Sequence, residues 1–357
     1  MDPSSKRPKA MLSYVVLCTL LIAILSFTSL YRGARSLSFC VPTTTFTTPS
    51  MELPVGFVRE SSSHELAESE SFGFFDDIDD ATWSRHQQRA RTDPVYFQPQ
   101  NPNVHSTDVA RWLLFNVDPL FTCPNLRRVG GRGDGPKWTC DPHRLVRQPD
   151  CLIYSIGSRG IYRFEDGIVD MLKHYDPKAS IANEGEKSSS WLPNCEIHVF
   201  DPAPNYGRNG DVAKKNIHYH AIGLKSSYEG FKLGSFPASY EFLSFQEIQK
   251  LLGHENRRVD IFKIDCEGCE WSTYHDWLHP DVDVRQVLIE THGARREPNK
   301  FFDRFLDMGL VPFSKEANTH PGAKPTGQLF EWGFVKMHPN FLRRSTNLMN
   351  ITFEAMF

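Results

Sequence analysis

The sequence predicts an α/β fold in which a mainly parallel sheet carries helices on both faces. Residues 151–170, CLIYSIGSRGIYRFEDGIVD, have the pattern of a buried strand, a glycine turn and the start of a helix. Strand and helix patterns then alternate as far as residue 337, which is typical of parallel strands joined by crossover helices. Together these two observations predict a Rossmann-like, doubly wound domain at residues 151–340.

The opening turn is the first candidate for a ligand site. Gly157 and Gly160 interrupt the apolar strand, and apolar residues return afterwards at helical spacing. Glycines at such a turn let the backbone approach a ligand closely, and the N–H groups of the following helix point at it. Only two of the three glycines of the dinucleotide signature are present, so an ordinary structural turn stays open as an alternative.

The later elements follow in chain order. We predict strands at 196–201, 216–224, 259–265, 285–292, 311–316 and 329–337, and helices at 244–253, 269–278 and 299–310. The first of these helices has a capping box formed by Ser244 and Glu247, and Gly253 ends it. Its ends are therefore predicted from local signals alone.

Carboxylates accumulate where the predicted strands end. Ligands of open α/β sheets bind beyond the carboxyl ends of the strands. Five acidic residues occupy such positions: Asp201, Asp265, Glu267, Glu270 and Glu290. Crowded carboxylates raise the pKa of at least one of them unless a metal ion or another cation compensates. We therefore expect the chemistry of the protein at this end of the sheet.

The N-terminal part predicts a membrane anchor. Residues 11–31 carry no charged side chain and are rich in Leu, Ile and Val, and their length matches a hydrocarbon core of about 30 Å. A cleaved signal peptide is the alternative, but its apolar region spans only about 7–15 residues. Three basic residues precede the span and two follow it, which weakly favours a cytoplasmic tail at 1–10. We thus predict a single-pass type II protein of the Golgi or endoplasmic reticulum with a lumenal C-terminal domain.

Between the anchor and the α/β domain the sequence predicts little regular structure. Residues 32–100 are rich in Thr, Ser, Pro and acidic residues, which predicts a disordered stalk. The lead-in segment at 101–150 combines a helix at 108–120 with a glycine- and arginine-rich stretch that predicts a solvated loop. We assign residues 341–357 to a C-terminal tail.

The cysteines and the net charge bear on disulfides, metal binding and partners. In a lumenal setting Cys123 and Cys140 are the favoured disulfide, worth on the order of 3 kcal/mol, and Asn350 is a glycosylation acceptor. Cys266 and Cys269 have CxxC spacing without a second pair, so we expect packed or oxidised thiols and predict no metal site. A formal net charge of -3 over 357 residues gives no reason to expect nucleic acid as a partner.

The run IFKIDCEGCEW at 261–271 resembles the KIDxEGxE signature of FkbM-type S-adenosylmethionine-dependent methyltransferases. Further motifs are similar to the related methyltransferase-like protein family: GDGPKWTCDP (133–142), YSIGSRGIYRFE (154–165), HVFDP (198–202), HYHAIGL (218–224), VLIETHG (287–293) and FSKEANTH (313–320). The resemblance covers residues 123–338 in the expected order. It implies S-adenosyl-L-methionine as cofactor and, with the compartment, a glycan or other small polar acceptor that is methylated on oxygen.

The resemblance also implies roles for individual residues. Gly157, Ser158 and Gly160 would line the methionine end of the cofactor, Asp201 would bind the ribose hydroxyls, and Tyr154 and Ile222 complete the predicted pocket. The predicted catalytic set is Asp265, Glu267, Glu290 and His292, of which Asp265 and Glu267 would lie beside the methyl group. Asp265, Glu290 or His292 could serve as the base for a hydroxyl acceptor.

The sequence departs from the family pattern at the glycine motif and after the fourth strand. Ser155 replaces the acidic residue that often opens the motif, its final glycine is absent, and Cys266 and Cys269 replace smaller or aliphatic residues. These departures favour the main alternative, a catalytically inactive, membrane-anchored binding module. A nicotinamide-dependent oxidoreductase is a second alternative, which the incomplete glycine signature opposes.

Overall fold

The computed structural model describes residues 63–97, 106–178, 193–207, 216–228, 236–293, 297–318 and 328–343. The predicted anchor at 11–31 and the glycosylation acceptor Asn350 lie outside these residues. Among the helices that are described, none has the length and apolarity needed to cross a membrane.

A seven-stranded sheet forms the centre of the molecule. The described helices are α1 (Glu65–Glu70), α2 (Asp80–Thr92), α3 (Ser106–Phe115), α4 (Arg163–Tyr175), α5 (Phe245–Leu252), α6 (Glu270–Trp277) and α7 (Pro298–Asp307). The strands are β1 (Leu126–Val129), β2 (Lys137–Cys140), β3 (Leu152–Ile156), β4 (Glu196–Phe200), β5 (Ile217–His220), β6 (Ile222–Leu224), β7 (Glu241–Leu243), β8 (Val259–Ile264), β9 (Val284–His292), β10 (Leu310–Ala317) and β11 (Leu329–Lys336). The central order is β10-β11-β9-β8-β3-β4-β5.

The predicted parallel sheet is confirmed. Strands β5, β4, β3, β8 and β9 are parallel, whereas β11 and β10 add an antiparallel edge. All residues of β3 and β8 are buried, as expected for strands covered on both faces. The chain leaves β3 toward β4 and β5, then returns to β8 on the other side of β3. This reversal of strand order places a crevice beyond the carboxyl ends of β3 and β8.

Most predicted elements are found within one or two residues of their predicted ends. Helix α5 has the predicted capping box, and Gly253 ends it with a φ of 70°. The strand predicted at 216–224 is instead divided, because β5 belongs to the central sheet and β6 pairs with β7 in a separate small sheet.

The prediction of a disordered stalk is wrong for its described part. Helices α1 and α2 lie within it, and Trp83 is fully buried against Phe75, Phe121 and Phe341. The few apolar residues of this segment follow no single period, so the sequence does not reveal the tertiary packing that they make. Phe341, which we assigned to the tail, likewise belongs to the core.

The prediction of a solvated loop for the glycine- and arginine-rich stretch at 121–145 is also wrong. Strands β1 and β2 form an antiparallel hairpin there, and the predicted Cys123–Cys140 disulfide is confirmed with an S–S distance of 2.00 Å. Two further disulfides, Cys151–Cys195 and Cys266–Cys269, are present. The hairpin buries Lys137, whose side chain is 2% exposed.

Candidate active site

A cavity of about 710 Å³ opens at the carboxyl ends of β3, β8 and β9, within the size range of small-molecule sites. It lies at the crevice that the strand order predicts. Six of the predicted site residues line it: Gly157, Ser158, Asp265, Glu267, Glu290 and His292.

The glycine turn after β3 forms one wall of the cavity. Gly157 has a φ of 78°, and a Cβ atom at this position would lie 1.8 Å from the carbonyl oxygen of Asp265. Only glycine therefore permits the ends of β3 and β8 to come so close. The backbone N–H of Gly157 donates to Phe200 O at 2.8 Å, which ties the turn to β4 as well.

Asp201 lies beside this turn but is not among the residues that line the cavity. Its Oδ2 atom accepts from the backbone N–H of Arg159 at 3.0 Å, and Oδ1 accepts from Ala203 N–H at 3.1 Å. The carboxylate thus holds the conformation of the glycine turn. Its role in binding ribose hydroxyls stays a prediction.

A buried lysine compensates the crowded carboxylates. Lys137 Nζ lies 2.6 Å from Glu331 Oε1, 3.1 Å from Asp265 Oδ2 and 3.3 Å from Glu290 Oε2. The sequence predicted the need for a cation but not its source, because Lys137 lies more than a hundred residues away in an apparent loop. Glu331, on β11, was also missed.

The pKa values of these carboxyl groups are shifted in different directions by burial and by neighbouring charges. Burial raises the pKa of Glu331 to about 8, with help from Glu290 and Asp265 and against the attraction of Lys137. Burial and Asp265 likewise raise the pKa of Glu290. Burial opposes ionisation of Asp265 too, but Lys137, Lys263 and His292 hold its pKa well below the usual value. Glu290 is therefore more basic than Asp265.

The surroundings of His292 favour its protonated form. Its Nδ1 lies 3.3 Å from Glu270 Oε1, and its Nε2 lies 3.8 Å from Asp265 Oδ1. Burial would lower the pKa of His292, but Glu270, Asp265 and Glu290 outweigh it and raise the pKa to about 9. A protonated imidazole cannot accept a proton, so the site as it stands favours Glu290 over His292 as the base.

The sequence matches a known protein family. A family model described as a methyltransferase domain matches residues 65–336, which is most of the chain. The chain belongs to this methyltransferase-domain family. The match supports the predicted S-adenosyl-L-methionine cofactor, whereas the FkbM type stays a prediction.

Solved structures add only weak likenesses. TrmK of M. capricolum, in complex with S-adenosyl-homocysteine, is 9% identical over 56% of this chain and 68% of that chain, with a TM-score of 0.24. The 16S rRNA methylase ArmA is 9% identical over 52% of this chain and 74% of that chain, with a TM-score of 0.23. A TehB-like SAM-dependent methyltransferase from Corynebacterium glutamicum is 10% identical over 55% of this chain and 86% of that chain, with a TM-score of 0.24. TM-scores this low add nothing to the family assignment. No curated protein matches the sequence.

The glycine motif of this methyltransferase domain lacks its usual acidic residue, but the carboxylate of Glu165 lies at the same place. Ser155, which replaces the expected acid, donates its hydroxyl to Glu165 Oε1 from α4. Glu165 contributes to the cavity wall and is 1% exposed, and its Oε2 atom has no hydrogen-bond partner among the described residues. A helix-borne glutamate thus stands beside the serine. The sequence contains it in the same motif, but spacing alone did not single it out.

Two predicted cofactor residues of the methyltransferase domain lie elsewhere. Tyr154 is fully buried, its hydroxyl lies 2.8 Å from His254 Nδ1, and its ring packs against Phe245. Ile222, the first residue of β6, belongs to the apolar core. Because side chains alternate along a strand, Tyr154 points to a sheet face while the turn after β3 reaches the cavity. We therefore correct both assignments to core packing.

Proposed function

We propose that this chain is an S-adenosylmethionine-dependent methyltransferase that methylates an oxygen of a glycan or another small polar acceptor. The observation that carries the proposal is the cavity at the point where strand order reverses, with the glycine turn on one wall and the carboxylates of β8 and β9 on the other. When bound, the cofactor supplies an electrophilic methyl group on a positively charged sulfur.

The residues present fit such a cofactor. The glycine turn offers close backbone approach. Asp265 and Glu267 line the cavity, where they would supply negative charge to the sulfonium of the cofactor. Glu165 provides a further carboxylate at the base of the turn. Asp201 keeps the turn in shape and would bind the ribose hydroxyls.

Glu290 would remove the proton from the acceptor hydroxyl. Its Oε2 contacts Lys137, and its Oε1 accepts from Asn318 Nδ2 at 2.8 Å, so the carboxyl is held on the cavity wall. Its raised pKa brings it toward the range in which a general base is effective. Methyl transfer depends chiefly on alignment of the acceptor oxygen, methyl and sulfur, which these fixed walls would provide.

Isothermal titration of the full-length chain with S-adenosylmethionine tests the proposal. We expect saturable binding, weakened at least tenfold in Asp265→Asn and unchanged in the exposed control Asp281→Asn. Absence of binding at millimolar cofactor would remove the enzyme assignment. Binding without transfer of a radiolabelled methyl group to any fraction of a glycan extract would instead select the inactive binding module.

The membrane anchor and lumenal orientation are part of the same proposal. Three disulfides among the described residues favour an oxidising compartment. Protease protection of the C-terminal domain in intact microsomes, with loss of protection after detergent, is the expected result. Digestion without detergent would place the domain in the cytosol.

A further inference from the structure

A second polar cluster lies away from the cavity, on one face of the sheet. Glu196 and His198 project from β4, and His254 follows α5, which covers this face. Glu196 Oε1 lies 2.9 Å from His198 Nε2 and 4.0 Å from His254 Nε2. One potential ligand atom from each of the three residues lies within 4.8 Å of the others. We propose that Glu196, His198 and His254 form a zinc site, with the remaining coordination position taken by water.

The orientation of the two imidazoles supports a metal site. His198 and His254 are both buried. The nitrogen that faces away from Glu196 has its own partner in each ring, since His198 Nδ1 lies 2.8 Å from His220 Nε2 and His254 Nδ1 lies 2.8 Å from the Tyr154 hydroxyl. Metal-binding histidines show this arrangement, in which an outer partner fixes the ring and directs the other nitrogen at the ion.

The donor atoms also suit a divalent cation. Two imidazole nitrogens and one carboxylate oxygen form a donor set that zinc takes in proteins. Arg257 Nη1 contacts Glu196 Oε2 at 2.7 Å and leaves Oε1 facing the rings. Neutral imidazole and ionised carboxylate are the forms that bind zinc.

The site is accessible and separate from the cavity. The side chain of Glu196 is 31% exposed, which provides an entry path. Glu196 begins β4, whereas the cavity lies beyond the carboxyl ends of the strands, and none of the three residues lines it. A bound ion would join the segment that follows α5 to the start of β4. The competing explanation is a hydrogen-bond network without an ion.

Metal analysis of the full-length chain, purified without a polyhistidine tag, separates these explanations. After chelator treatment and dialysis, zinc is titrated calorimetrically into the wild type, Glu196→Gln, His254→Gln and the control His279→Gln. His279 is a half-exposed histidine outside the cluster. We expect one zinc ion per chain in the wild type and the control, with affinity reduced at least about tenfold in the other two variants.

Thermal unfolding guards against misfolded variants. Circular dichroism of each chelated variant establishes its fold, and zinc should raise the unfolding temperature of the wild type but not of Glu196→Gln. Because Glu196 is partly exposed, this variant retains the packing of both histidines. Absence of zinc binding in the wild type, or equal affinity in all four proteins, would overturn the proposal.

Discussion

At the scale of the residue, Lys137 has the greatest influence on the site. Its ammonium contacts Asp265, Glu290 and Glu331 in a region that excludes most water. Removing one partner from a buried ionic cluster leaves uncompensated charge and costs about 3–5 kcal/mol. The same lysine keeps Asp265 ionised while Glu290 retains basicity. One side chain therefore decides both the charge of the cavity wall and the roles of its carboxyls.

Gly157→Ala should abolish cofactor binding. The added Cβ atom would meet the Asp265 carbonyl, so β3 and β8 must separate at the cavity. Gly73→Ala is the matched control, because Gly73 has a similar φ of 75° but nothing within 4 Å of the added atom. Titration with S-adenosylmethionine checks the difference. Equal affinity in both variants would show that the close approach is dispensable.

Stability should fall between about pH 6.5 and pH 9 through His292. The folded pKa of about 9 exceeds the value of about 6.5 for a free histidine, so its stabilisation is complete below 6.5 and is lost as pH rises through 9. Unfolding temperatures of the wild type and His292→Asn should converge over this range. A constant difference from pH 6 to pH 10 would contradict the raised pKa.

At the scale of the element, the β1–β2 hairpin positions Lys137. The hairpin has only four residues in each strand, and the Cys123–Cys140 disulfide joins the segment before β1 to the end of β2. The amide of Gln286 on β9 also bonds Cys140, donating to its carbonyl and accepting from its N–H. The disulfide and the two hydrogen bonds of Gln286 thus hold a hairpin whose short strands lack an extended apolar pattern.

Replacing Cys123 and Cys140 together by serine should lower the free energy of unfolding by about 3 kcal/mol, as expected for a loop of this length. Urea unfolding under non-reducing conditions measures the loss. Affinity for S-adenosylmethionine should also fall, because Lys137 is then less firmly placed. Unchanged stability and affinity would mean that the contacts of Gln286 suffice.

At the scale of the whole molecule, the folded domain begins well before residue 151, where the alternation of strand and helix patterns starts. The described residues from 63 onward form one compact unit, and the α1–α2 segment supplies Phe74, Phe75 and Trp83 to the core. Arg144 contacts Asp76 and Asp77 and links this segment to the turn after β2. A truncation at residue 100 would therefore remove part of the core.

Trp83→Ala should destabilise the molecule by about 3–5 kcal/mol, because the indole is fully buried and its Nε1 donates to Glu70 Oε2 at 2.7 Å. Phe72→Ala is the control from the same segment, since Phe72 is 48% exposed. Chemical denaturation measures both. A negligible effect of Trp83→Ala would restore the interpretation of this segment as a stalk.

The sequence by itself determined the parallel α/β sheet, the capped helix α5, the glycine turn and the carboxylates that follow β8 and β9. These features depend on hydrophobic periodicity and on capping and turn residues that lie a few positions apart in the sequence. Only the tertiary structure decided that Lys137 neutralises those carboxylates, that Glu165 stands beside Ser155, that Tyr154 is a core residue and that α1 and α2 complete the domain. Each of these depends on contacts between distant parts of the chain, and burial and charge compensation across such distances leave no periodic signal in the sequence.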